Sequence, residues 1–195
     1  MASSLSETLL LKQPAVSADE IAFLYAGDLW IAEKSGASAR RLTAQKGRKA
    51  APYFSPDGQW IAFSANYDGN QSVYVIPREG GAPRRLTYHP YEDWVRGWTA
   101  DGSAVLFTST HESISRRARR LFTVPLDGGL PELVPVPTAD RGAFSPDGQW
   151  VAFWSELDNN DKGEIMLASI DGVEVRQLTH NKAREFHTAW SKPQP

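Results

Sequence analysis

Phe54-Ser55-Pro56-Asp57-Gly58-Gln59-Trp60-Ile61-Ala62-Phe63 decides the fold of this chain, together with four short segments downstream: Asp68-Gly69-Asn70, Val73-Tyr74-Val75, Gly80-Gly81 and Arg85-Leu86-Thr87. Pro56 sets φ for a turn, Asp57 offers a carboxylate to backbone amides, and Gly58 accepts a left-handed conformation. A short β-branched and aromatic run comes next, too short for a helix and bounded by turn formers. The unit then repeats. Ser145-Pro146-Asp147-Gly148 leads to Arg176-Gln177-Leu178-Thr179, and weaker copies open at Ser17-Ala18-Asp19-Glu20 and Thr99-Ala100-Asp101-Gly102.

Asp19, Asp57, Asp101 and Asp147 are spaced by 38, 44 and 46 residues. Such periods suit four-stranded propeller blades or helical repeats, and the strand signal selects the former. Ile21-Ala22-Phe23, Ile61-Ala62-Phe63, Val105-Leu106-Phe107 and Val151-Ala152-Phe153 start a second strand in each unit. Leu29-Trp30-Ile31, Val73-Tyr74-Val75, Leu121-Phe122-Thr123 and Ile165-Met166-Leu167 form a third. Gly36, Gly80-Gly81, Gly128-Gly129 and Gly172 turn the chain into a fourth. The expected fold is all-β, a β-propeller of four-stranded antiparallel blades. It forms a single domain or propeller fragment over 1–195, with blades near 8–43, 50–87, 94–135 and 139–179. An extra strand and tail occupy 180–195, where His187-Thr188-Ala189-Trp190-Ser191 begins a fifth unit. A spare strand leaves three possibilities: a piece of a longer propeller, a closed four-bladed ring, or association of chains.

A net charge of −2 gives no electrostatic ground for nucleic acid or an anionic membrane as partner. No apolar run approaches the roughly 18 residues of a membrane span. The first residues lack a basic leader, so a cytoplasmic location is expected, or a periplasmic one if a signal peptide was removed. With no cysteine, thiol catalysis and zinc–thiolate sites are excluded.

These motifs resemble the PD40, or TolB-type, WD40-like repeat, and residues 54–87 match it almost throughout. A narrower likeness covers residues 8–148. Gln13-Pro14-Ala15-Val16, Ala26-Gly27-Asp28-Leu29-Trp30, Arg85-Leu86-Thr87-Tyr88-His89-Pro90 and Leu121-Phe122-Thr123-Val124-Pro125-Leu126-Asp127-Gly128-Gly129 are similar to the start of tricorn-like peptidases. That resemblance implies a non-catalytic propeller that filters peptides toward a serine-peptidase region elsewhere. Where that family has an arginine pair, near Tyr91–Val95, this chain has Glu92-Asp93-Trp94.

No catalytic constellation is expected: there is no Gly-x-Ser-x-Gly, phosphate loop or His-Glu-x-x-His. Asp57, Gly58, Asp101, Gly102, Asp147 and Gly148 are expected to be structural turn residues, since a carboxylate repeated in every blade serves folding. His180 and His187 flank an inter-blade turn and are expected on loop surface. Asp158-Asn159-Asn160-Asp161-Lys162-Gly163 imitates a calcium loop, but Lys162 stands where an oxygen ligand is needed. No cofactor and no metal are expected. Arg116, Arg117, Arg119 and Arg120 form the one strong charge cluster, a candidate contact for an anion or a peptide carboxylate. The tryptophans are expected between the sheets. The expected function is a non-catalytic recognition or scaffold module that binds a protein or peptide, with possible homo-oligomerisation completing the ring. The alternatives are a TolB-like scaffold unrelated to proteolysis and an enzyme using the central funnel.

Overall fold

The computed structural model describes residues 11–111, 119–155, 163–180, 188 and 190. Every regular element among them is a strand. Blade 1 comprises β1 (Lys12–Val16), β2 (Glu20–Tyr25), β3 (Asp28–Glu33) and β4 (Ala39–Arg41). Blade 2 comprises β5 (Lys49–Phe54), β6 (Trp60–Ala65), β7 (Ser72–Pro77) and β8 (Arg84–Arg85). In blade 3 these are β9 (Trp94–Trp98), β10 (Ala104–Ser109), β11 (Arg120–Pro125) and β12 (Glu132–Leu133); in blade 4, β13 (Arg141–Phe144), β14 (Trp150–Ser155), β15 (Glu164–Ser169) and β16 (Val175–Gln177). Each blade is a four-stranded antiparallel meander in chain order. The first strands pack side by side, β1 on β5, β5 on β9 and β9 on β13, and so line the inside of the arc.

The repeated tetrapeptide closes the turn between the first two strands. The Gly58 amide donates to the Ser55 carbonyl (2.8 Å), the Gln59 amide to Asp57 Oδ1 (3.0 Å) and the Trp60 amide to Ser55 Oγ (3.0 Å). Blade 4 repeats this: the Gln149 amide donates to Asp147 Oδ1 (3.0 Å) and the Trp150 amide to Ser145 Oγ (3.0 Å). In blade 3 the Ser103 amide donates to Asp101 Oδ1 (3.0 Å) and the Ala104 amide to Thr99 Oγ1 (3.0 Å). Serine hydroxyl and backbone amide bonds hold the Asp57 and Asp147 carboxyls below their ordinary value, and hydroxyl bonds from Thr99 and Ser103 help do the same at Asp101. Gly58 (φ 71°), Gly102 (φ 74°) and Gly148 (φ 70°) occupy the left-handed position these turns require. Ser169-Ile170-Asp171-Gly172 builds the same turn again between β15 and β16.

The Arg-Leu-Thr motif closes the fourth strand. Its leucine enters the core, as Leu42 and Leu86 do. Its threonine hydroxyl accepts an amide from the third strand: Leu29 to Thr43 (2.9 Å), Val73 to Thr87 (3.0 Å) and Ile165 to Thr179 (2.9 Å). Three apolar clusters fill the three junctions between neighbouring blades. Because β6 lies between blades 1 and 3 and is covered on both faces, Ile61, Ala62 and Phe63 are all buried in succession rather than alternating. The tryptophans meet the expectation in part: Trp98 is buried in the core between blades 2 and 3 and half-buried Trp60 packs against it, whereas the other described tryptophans are half-buried or exposed. Trp60 and Trp150 stand at the blade surface beneath the Arg84 and Arg176 guanidinium groups (5.8 and 5.3 Å), where ring and cation shield each other.

Candidate functional site

A cavity of about 530 Å³, open to one side, runs along the first strands of blades 2, 3 and 4, with Thr188 and Trp190 also on its wall. Tyr53, Trp98 and Phe144 supply apolar wall, and Arg96 and Arg141 supply charge. Arg96 reaches this wall because β9 is irregular. Leu106 pairs with Gly97 and Phe107 with Val95, so Arg96 is the extra residue of a bulge. Gly97, at φ 153°, completes it. Bulges redirect one side chain out of the alternating pattern, and here the redirected group is a guanidinium.

Arg96 Nε donates to the Asp140 carbonyl (2.9 Å) and to Thr108 Oγ1 (3.1 Å), and its Nη2 lies 3.3 Å from Asp140 Oδ1. Arg119 Nη1 donates to the same Oδ1 (2.9 Å), and Arg141 Nε lies 3.7 Å from Oδ2. Among the described residues three guanidinium groups thus converge on one carboxylate, and two of them, Arg96 and Arg141, line the cavity. Burial lowers the Arg96 pKa most, and Asp140 counteracts it. Arginine stays charged through such shifts, and its planar fork is the side chain that matches a carboxylate.

Of the arginines singled out by the sequence, Arg119 belongs to this cluster, held where its carbonyl accepts the Ala139 amide (2.9 Å). Arg120 opens β11 opposite Ser109. Arg116 and Arg117 lie outside the described residues, as do His187 and residues 158–162 of the calcium-like loop. His180 is exposed, and Gly163 is buried where a β-carbon would collide with the Trp154 ring. Asp57, Gly58, Asp101, Gly102, Asp147 and Gly148 sit in the turns described above. Sequence reasoning did not reach Arg96, Asp140 and Arg141. The available signal was a charged residue two positions before the end of a first strand, where the other units carry Pro14, Pro52 and Gly142.

A second cluster links blades 2 and 3. His89 Nε2 lies 3.3 Å from Asp93 Oδ2, and the His89 ring stacks on His111 with centroids 4.9 Å apart. Asp93 is fully buried, which pushes its carboxyl up to about 7 despite the Thr87 and Ser109 hydroxyls. Burial and the neighbouring His111 push His89 down. The folded state therefore retains a proton that the unfolded chain releases near the ordinary carboxylate value. The stabilisation from this group is fully present below about pH 4 and is lost as pH rises through about 7. Asp93→Asn is expected to flatten the fall in melting temperature between pH 5 and pH 8, measured by circular dichroism. An unchanged slope would show that Asp93 titrates normally. Among the described residues no group of three or more His, Cys, Asp or Glu is arranged to hold a metal.

Four sequential antiparallel sheets packed face to face around an inner cavity define a β-propeller. Residues 8–145 match the tricorn protease N-terminal β-propeller domain, and the chain belongs to that family. Tricorn protease homolog 1 of Streptomyces coelicolor is 33% identical over 177 residues, covering 86% of this chain and 16% of that protein. The chain thus spans about a sixth of that relative's length. Among solved structures, TolB from Acinetobacter baumannii superposes with a TM-score of 0.73 at 23% identity, covering 90% of this chain and 45% of TolB. The tricorn protease superposes with a TM-score of 0.63 at 18% identity, covering 90% and 23%. These two likenesses establish the fold.

Proposed function

We propose that this chain is a non-catalytic recognition module that binds a protein or peptide in its funnel, with Arg96, Arg119 and Arg141 engaging a carboxylate of the ligand. The observation that carries this reading is the convergence of three guanidinium groups on the single Asp140 carboxylate beside an aromatic-walled cavity. A guanidinium fork matches a carboxylate in two parallel hydrogen bonds, and a partly dry wall strengthens them. Tyr53, Trp98 and Phe144 give adjoining side chains an apolar surface. Membership of the tricorn N-terminal propeller family supports a peptide as the ligand class.

The test is a calorimetric titration with a set of peptides synthesised with free and with amidated carboxyl ends, some carrying Asp or Glu. Binding that needs a carboxylate and weakens about tenfold or more in Arg96→Met supports the reading. Equal binding of neutral and acidic peptides, or none at millimolar concentration, overturns it. Turnover of a peptide, ester or glycoside, abolished by one substitution in the funnel, would instead make the chain an enzyme.

A further inference from the structure

Each blade after the first begins on an ionisable residue. Lys49 opens β5, and Asp93 and Asp140 directly precede β9 and β13. Two of the three meet full opposite charges. Lys49 Nζ lies 2.9 Å from Asp28 Oδ1, and Asp140 receives the arginines of the funnel wall. Asp93, at the junction of blades 2 and 3, is 0% exposed, and among the described residues no Lys or Arg pairs with it. The Thr87 and Ser109 hydroxyls approach it, but neither of its oxygens has a hydrogen-bond partner among the described residues. The buried Gln71 Nε2 and His89 Nδ1 are without one too. A buried carboxylate in this setting is costly to ionise, and a nearby positive charge relieves the cost.

Thr87 and His89, both neighbours of Asp93, line a cavity of about 530 Å³ between blades 2 and 3. Leu86, Phe122 and Leu133 give it apolar wall, and Tyr88 and His111 add rings beside His89. The His89 and His111 rings stack at 4.9 Å, and Tyr91 packs against them at 5.7 and 5.4 Å. Aromatic faces attract cations. The stretches that build this wall, 86–95, 104–111 and 121–133, contain Glu92, Asp93, Asp127 and Glu132 and neither Lys nor Arg. Arg85, just before the first of them, is engaged by Asp68 Oδ2 (3.2 Å), the Thr87 carbonyl (2.6 Å) and the Tyr88 ring. Around the mouth Tyr88 and Leu130 are 74% and 86% exposed, an apolar collar on the surface.

We infer that this cavity is a second recognition site, which takes the side chain of a lysine on a bound protein or peptide. The aliphatic stem lies along Leu86, Phe122 and Leu133, and the ammonium sits among the rings with Asp93 behind them. Asp93 attracts it across one layer of side chains, where little water screens the charge. The exposed collar of Tyr88 and Leu130 serves the residues beside that lysine, a surface that a free amine would leave unused. The cavity shares no lining residue with the funnel cavity, so the two sites stand or fall separately. Burial holds the Asp93 carboxyl up to about 7, so near neutral pH an arriving ammonium displaces part of its proton population. His89, pushed down by burial and by neighbouring His111 and Arg85, stays uncharged there and does not compete.

Calorimetry with short peptides tests this, their carboxyl ends amidated so that the funnel arginines have no carboxylate to hold. One peptide has an acetylated amino end and a central lysine; its comparison has norleucine there, with the same stem and no charge. The lysyl peptide is expected to bind about tenfold or more tightly, as a cation held by aromatic faces near a buried charge does. Asp93→Asn is expected to remove that advantage. It is also expected to remove the proton release that makes the binding enthalpy differ between phosphate and Tris buffers near pH 7. Glu174→Gln, an exposed carboxylate on blade 4, is expected to change neither. Leu130→Lys, at the exposed mouth, is expected to weaken binding several-fold and keeps the test open if Asp93→Asn does not fold. Equal binding of the two peptides, or none at millimolar concentration, would overturn the proposal. So would an affinity indifferent to Asp93→Asn or, should that variant not fold, to Leu130→Lys. Binding restored by a free amino end on the norleucyl peptide would overturn the assignment to a lysine side chain.

Discussion

Phe107→Ala is expected to lower the free energy of unfolding by about 3–5 kcal/mol, the usual cost of removing a buried aromatic ring. Phe107 is fully buried, stacks on Phe122 at 5.7 Å between centroids, and fills the junction between blades 2 and 3 with Val73, Val75 and Leu86. No neighbouring element can collapse into the void without dragging a four-stranded sheet with it. Repeat architectures hold together through nearest-neighbour contacts, so the damage falls on one junction. Urea unfolding is therefore expected to show a lower midpoint and a shallower slope, because the two halves of the arc no longer melt together. Leu130→Ala, at 86% exposure, is the control and is expected to change stability by less than about 0.5 kcal/mol. A Phe107→Ala variant as stable as its parent would contradict the assignment of this cluster as core.

Asp140→Asn is expected to move stability and ligand binding in opposite directions. The substitution keeps size and shape but removes a negative charge that Arg96, Arg119 and Arg141 share. Three positive charges then face one another across a partly buried wall, at a cost of about 1–3 kcal/mol. Added salt is expected to restore part of this, since screening weakens repulsion among the more exposed groups. A ligand carboxylate no longer competes with Asp140, so its affinity is expected to rise several-fold. Arg96→Met is expected to do the reverse to binding. Melting curves across a salt series and titrations with one acidic peptide check both. Weaker binding in both variants would show that the cluster is a structural brace and that carboxylates bind elsewhere.

The sequence by itself determined the repeat and nearly everything local to it. Ser55-Pro56-Asp57-Gly58 specifies its turn within six residues, and Arg85-Leu86-Thr87 specifies how a fourth strand ends, so both could be read from spacing alone. Strand order followed, because short turns force consecutive strands to pair. The same reading drew attention to Arg116–Arg120 as a charge run, yet only Arg119 among the described members reaches the funnel cluster. Arg96 and Asp140 are 44 residues apart and meet only across two blades. Arg96 points there because a bulge breaks the period of two on which strand reading depends. Asp93 and His89 are four residues apart in a segment with no helical period, so nothing local predicted their contact or the burial that shifts them. Turns and strand pairing are decided within a few bonds of the backbone. The convergence of charges on Asp140 and the burial of Asp93 depend on which blades are neighbours, and only the assembled tertiary structure settles that.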